Sequence, residues 1–203
     1  MKYTLIRKLL LSIRIADSFN LLKWGGGGTS PLFLIMGTIK QIKDRYVAAY
    51  NALMPAIAET VQQTSGDIMA LNRDQLLQGR DADGNLISPT YMQDPYFKSQ
   101  EAAAKYSKMK YMMEEGHKQR MTFPEMYGEK PTDVPNLLVT GTLFFNHFFI
   151  SVTREAYTIG STGEAAPDIE QKYNNRLYGL TPKSKEFYYF MFIRPTIREV
   201  YGK

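Results

Sequence analysis

The sequence predicts an α+β fold: a long N-terminal helix packed on a small antiparallel sheet, with further helices and an extended N-terminal arm. Three observations carry that expectation. Apolar residues recur in steps of three and four from Ile39 to Leu71. A later stretch rich in aromatic and β-branched residues is followed, across a polar turn, by a second short run of the same kind. Ahead of both lies a segment whose charge differs from the rest of the chain.

That segment, residues 1–36, holds Lys2, Arg7, Lys8, Arg14 and Lys23 against the single acid Asp17, four of the five net positive charges of the 203-residue chain. Its apolar residues include Leu9, Leu10, Leu11, Ile13, Ile15, Leu21, Leu22 and Trp24, then four glycines, Gly25 to Gly28, then the run Pro31 to Met36. Consecutive glycines lose the most backbone entropy on ordering and act as a hinge. Residues 1–36 therefore divide from a single body, residues 37–203, as an arm that reaches a partner.

Arg14 cuts the apolar stretch Leu9 to Ile13 below what a secretory signal needs, so no cleavable signal is expected. No run reaches the roughly 20 apolar residues that cross a bilayer. Stable membrane insertion is therefore not expected. An interfacial helix remains open, because Leu5, Leu9, Ser12, Ile13 and Ala16 share a helical face.

In the body, the stripe Ile39, Ile42, Tyr46, Tyr50, Leu53, Ile57, Val61, Ile68 and Leu71 predicts one helix from about Thr38 to Leu71. Pro55 removes one internal hydrogen bond and is expected to kink that helix without ending it. Asp81, Asp83 and Asn85 invite comparison with a calcium loop, but its glycine and glutamate positions hold Leu86 and Met92. A tight turn at Asp83-Gly84 is expected instead. A second helix runs from about Ser99 to Glu115, capped by Ser99 and closed by Gly116.

Lys105, Lys108 and Lys110, with Lys118 and Arg120 beyond, interleave with Tyr106 and Tyr111, but Glu101, Glu114 and Glu115 dilute the strip into an ordinary solvated face. Prolines 124, 131 and 135 and Gly128 make residues 121–136 a loop. Leu137 to Val152 reads as a strand, and Ala156 to Ser161 as its hairpin partner across Arg154-Glu155. A helix is expected from Asp168 to Leu177, with a turn at Tyr178-Gly179-Leu180. Thr181-Pro182 supplies a cap and first position for another helix, so the aromatic run Phe187 to Ile193 is read as helical. Arg194-Pro195 marks a kink or break before Thr196 to Tyr201.

The composition narrows the chemistry. With no cysteine, disulfides and thiolate metal sites are excluded, and with only His117 and His147 few catalytic sets can form. Glu114 and His117 have helical ligand spacing but lack a second pair, and His147 has no nucleophile or acid beside it. No cofactor, metal or catalytic residue is expected, and the chain is read as non-enzymatic. Its pI near 9.2 allows contact with nucleic acid or anionic lipid, chiefly through the arm.

Three blocks carry a family resemblance. Gln75 to Asn85 (QLLQGRDADGN) with Tyr91, then Pro131 to Leu137 (PTDVPNL) leading to Thr140-Gly141-Thr142-Leu143-Phe144, then Lys172-Tyr173 with Leu177 to Thr181 (LYGLT), resemble small virion proteins of tailed phages of gut Bacteroidota. The likeness covers about residues 60–203, with Val139 where the family commonly has aspartate before Thr-Gly. The Thr-Gly block is also similar to tail-completion, or neck, proteins.

The resemblance implies a non-enzymatic head-to-tail connector in the virion, made in the host cytoplasm. Such a subunit forms a homo-oligomeric ring and meets portal, connector or tail proteins, with packaged DNA in the lumen as a further candidate contact. Leu9, Leu10, Ile13, Trp24, Phe33 and Leu34 are expected to bury against neighbouring subunits, and Lys2, Arg7, Lys8 and Arg14 are the candidate DNA contacts. The alternative is a DNA-binding or membrane-surface accessory protein acting through the same arm.

Overall fold

A computed structural model describes residues 39–116, 121–137, 148–154, 156–174 and 176–201. They form an α+β body of helices around one two-stranded antiparallel sheet. Helix α1 spans Ile39–Gln63 and runs through Pro55 without interruption. Asn51 and Pro55 both face solvent, so water can satisfy the carbonyl that the proline leaves without its helical donor.

The predicted single helix ends earlier than expected, at Thr64, and α2 begins at Ser65 and runs to Leu77. The Thr64 hydroxyl donates to Thr60 O at 2.7 Å and shares a hydrogen bond of 2.5 Å with the Tyr188 hydroxyl. Local side-chain bonding of this kind competes with a regular helix. The apolar stripe nevertheless crosses the junction, since Leu53, Ile57, Val61, Ile68 and Leu71 are all buried in one cluster.

After α2 the chain turns through Arg80–Leu86, whose ends pair as an isolated bridge. Asp81 organises the turn: one carboxylate oxygen accepts from the amides of Asp83 at 3.0 Å and Asn85 at 2.8 Å. Gly84 adopts φ +87, and it alone supplies the positive angle there, not the Asp83-Gly84 pair. A 3₁₀ turn at Tyr91–Gln93 leads to α3, Gln100–Gly116, where Ser99 Oγ accepts from the Ala102 amide as the expected cap. A single turn, α4 at Pro124–Tyr127, interrupts the expected loop.

Strand β1 is Phe148–Val152 and β2 is Tyr157–Ser161, paired so that Phe148 faces Ser161 and Ile150 faces Ile159. Leu137, expected to open the first strand, is instead a buried loop residue, and residues 138–147 lie outside the described part. Tyr157 and Ile159 point into the core beneath α1 and α2, which both pack on β1.

Helix α5, Ala166–Lys172, begins two residues before its predicted start and ends five before its predicted end. Asn174 at φ +57 takes the left-handed conformation that stops it. Thr181 accepts from the Ser184 amide at 3.1 Å and caps α6, Pro182–Tyr188, as the sequence implied. Of the kink or break expected at Arg194-Pro195, the break does not occur. A π-helical turn, Tyr189–Ile193, joins α6 directly to α7, Arg194–Tyr201. The Arg194 amide reaches back five residues to Tyr189 O, and this widening lets the helix take Pro195 without a clash.

Two apolar clusters share the interior. The first joins α1, α2, the hairpin and the C-terminal helices, and the second joins the end of α2 to Ile87, Leu137, α5 and Leu177. Phe148 and Tyr178, with ring centroids 5.7 Å apart, touch both.

Candidate interaction surface

All residues named from the sequence as partner contacts, Leu9, Leu10, Ile13, Trp24, Phe33 and Leu34, and as DNA contacts, Lys2, Arg7, Lys8 and Arg14, lie outside the described residues. So do His117, His147 and the Thr140–Phe144 block. The described body shows instead how the other quoted motifs are used.

Helix α2 is unusual in burying polar residues: Asn72, Asp74 and Gln75 are each fully buried. Gln75 spans two backbone groups of the Leu177–Thr181 block, donating to Gly179 O at 2.6 Å and accepting from the Thr181 amide at 3.0 Å. Asn72 donates to Leu177 O at 2.9 Å. The Ala82 amide adds a bond to Arg176 O. The first and third blocks therefore hold each other by main-chain recognition, the kind of bonding that fixes a loop with little surface of its own.

Asp74 sits at the same junction. One oxygen accepts from the Phe123 amide at 2.6 Å, while the other has no hydrogen-bond partner and faces Arg73 Nε at 3.9 Å. Burial pushes its carboxyl above the ordinary value, against the lowering by the Thr122 and Phe123 amides and Arg73. Tyr127 and Ser184 hydroxyls bond to one another beside it, and Ser184 also pairs with Thr181 at 2.7 Å.

The middle block is anchored in the same manner. Asp133 accepts from the Thr90 hydroxyl at 2.8 Å and the Met92 amide at 3.1 Å, and the Tyr91 amide donates to Val134 O. The Asn136 amide donates to the Tyr173 hydroxyl at 3.0 Å. Lys172 pairs with the nearly buried Asp94. Burial alone would raise Asp94, but hydrogen bonds from Lys172 and the Tyr96 amide hold its carboxyl below the usual range. Among the described residues of the quoted blocks, Gln75, Asp81, Asp133 and Tyr173 are engaged in internal bonds that position loops.

The basic strip of α3 is exposed at Lys105 and Lys108, as expected of a solvated face. Its tyrosines are engaged by the protein itself: Tyr106 lies 5.6 Å from Tyr91 and 5.2 Å from Phe97, and Lys130 sits over Tyr111. A ring packed against other rings, as Tyr106 is, or covered by a lysine, as Tyr111 is, offers little free face for stacking a base. Burial lowers the Lys130 amine to about 8.

Several large apolar side chains also stand on the described surface. Tyr46, Val47 and Tyr50 on α1, Met109, Met112 and Met113 on α3, and Phe190 and Met191 on the π turn all stand exposed, with Arg194 stacked 5.5 Å from Phe190. Aromatic and methionine side chains are the types enriched at protein interfaces. Sequence reasoning assigned Tyr46 and Tyr50 to the core stripe. Their place on the correct helical face was legible, but the point at which the body stops covering that face was not. Among the described residues, no group of three or more histidine, aspartate or glutamate side chains could hold a metal, and no helix is long and apolar enough to cross a membrane. Comparison with protein-family models, curated proteins and solved structures finds no match to this chain.

Proposed function

We infer that the protein is a structural subunit of a tailed-phage particle, a head-to-tail connector of the neck or tail-completion kind. It joins identical neighbours in a ring and grips adjoining virion proteins without catalysing a reaction. The observation that carries this reading is the distribution of exposed apolar side chains over separate helices, α1, α3 and the π turn, while Gln75 and Asp133 of the motif blocks are engaged within the fold. A ring subunit needs two different complementary faces, one for each neighbour, and a single patch would not serve. The resemblance of the three blocks to phage virion proteins supports the same assignment. Leu9, Leu10, Ile13 and Trp24, upstream of the glycine hinge, supply further grip, and Lys2, Arg7, Lys8 and Arg14 reach acidic neighbours or packaged DNA.

Native mass measurement of the purified chain, alone and mixed with a portal protein, tests the assignment. Discrete oligomers or a defined complex are expected. A strict monomer indifferent to the other virion proteins would overturn it.

A further inference from the structure

Residues 121–130 cross the junction of α2 and α6 with one turn of helix, α4, as their regular structure. A turn that short does not hold itself in water, so the segment is kept in place by what reaches it from outside. Helix α2 supplies most of the grip. Arg73 Nη2 donates to Thr122 Oγ1 at 2.6 Å, Asp74 accepts from the Phe123 amide at 2.6 Å, and Gln78 donates to the Gly128 carbonyl at 3.2 Å. From α6, Lys183 donates to the Met126 carbonyl, and the Ser184 hydroxyl pairs with that of Tyr127. The segment's own Phe123, Met126 and Tyr127 pack on the first apolar cluster, with Phe123 5.5 Å from Phe187.

Of the groups that grip this segment, Asp74 is the fully buried ionisable one. One of its oxygens has no hydrogen-bond partner, and Arg73 Nε, on a side chain 38% exposed, stands 3.9 Å away. A buried carboxylate with an unsatisfied oxygen costs more than the neutral acid, and a partly hydrated guanidinium beyond hydrogen-bond reach offsets little of that cost. The other ionisable groups that act on it, Glu125 and Tyr127, sit on the segment itself, and Glu125 opposes its charge further. Lifting the segment away would let water reach the carboxylate.

We propose that residues 121–130 form a proton-gated strap, closed over the α2–α6 junction while Asp74 is protonated and opening far more readily once it is ionised, with the rest of the fold intact. Burial holds the Asp74 carboxyl above its ordinary 3.8 when the strap is closed, and hydration returns it to that value when the strap opens. Closure is therefore most stable below 3.8 and weakens as pH rises through the raised value. Opening frees Phe123, Met126 and Tyr127 together, because the Asp74 bond lies where α4 begins. The strap works in this way whether or not the chain assembles into rings.

Native-state hydrogen exchange in low urea, from about pH 4 to 8 and corrected for intrinsic amide rates, tests the proposal. The reporters are the Phe123, Met126, Tyr127 and Gly128 amides, all bonded while the strap is closed, set against the amides of α2. Strap amides should be less protected than those of α2 and respond little to urea, since a local opening exposes little surface. Their opening should rise about tenfold per pH unit above 3.8 and level off past the folded value of Asp74. Asp74→Asn keeps an acceptor for Phe123 but cannot ionise, and it should abolish that rise. Lys183→Met cuts a strap contact and leaves Asp74 in place, so it should raise opening at every pH and keep the rise. Strap amides that exchange together with α2, a parent without the rise, a rise that persists in Asp74→Asn, or one lost in Lys183→Met would each overturn the proposal.

Discussion

Replacing Gln75 by leucine removes a side chain that bonds two backbone groups of one buried loop while keeping nearly the same volume. Gln75 is fully buried, and its amide holds Gly179 O at 2.6 Å and the Thr181 amide at 3.0 Å. Leucine can serve neither. A buried polar group that loses its partner costs about 1–3 kcal/mol, so the two together cost up to ~6 kcal/mol before relaxation. The added apolar side chain returns about 1 kcal/mol through burial. A net loss of about 3 kcal/mol is expected, a large share of a typical stability of roughly 5–15 kcal/mol. At about 2–4 °C per kcal/mol for a chain of this size, the melting midpoint should fall by about 6–12 °C.

Urea unfolding followed by far-ultraviolet circular dichroism measures this loss, with an unchanged m-value showing that the same surface is exposed. Gln75→Glu sharpens the test. The carboxylate can still accept from Thr181 but cannot donate to Gly179 O unless protonated, so its folded pKa should be raised. That variant should therefore regain stability on acidification and lose it as pH rises through the folded value. A Gln75→Leu midpoint within about 0.5 kcal/mol of the parent, the range of ordinary surface changes, would refute the claim that this side chain secures the loop.

Asp74, with its raised carboxyl pKa, is most favourable to the fold when protonated. Its contribution is complete below the ordinary value of 3.8 and is lost as pH rises through the folded value, so Asp74→Asn should gain on the parent across that window in a pH series of urea titrations. Asp94 runs the opposite way: its depressed pKa gives stability present above 3.8 and lost as pH falls through the folded value. Lys172→Met should cost about 1 kcal/mol at neutral pH, discounted because the lysine is one-third exposed, and should flatten that acid-side loss. Phe190→Ser/Met191→Ser should cost about 2 kcal/mol of unfolding stability, because both side chains are about half buried and Phe190 also packs on Tyr189 and Arg194. The same variant should lower the oligomer fraction seen by native mass measurement, and unaltered assembly would exclude that patch from the interface.

The site was far less legible than the fold. Every residue that the sequence nominated for a partner or DNA lies in the arm, and those nominations rest on charge and hydropathy alone. Gln75 and Asn72 could have been suspected only as polar residues within an otherwise buried helical stretch, because their partners stand 104 and 105 residues away along the chain. A signal of that kind has no local period.

What the sequence determined by itself is set by short-range physics. The apolar spacing of α1, the caps at Ser99 and Thr181, the turn at Gly84 and the existence of a hairpin across Arg154-Glu155, though not the start of its first strand, all follow from contacts between near neighbours. Only the tertiary structure decided the rest. Thr64 ends α1 while bonded to Tyr188, and the π turn carries the last helix past Pro195. The same apolar face of α1 is buried at Leu53 and open at Tyr50. Each outcome depends on which distant segment arrives at that place, because burial and polar satisfaction are properties of the assembled neighbourhood and not of the residue's own periodicity.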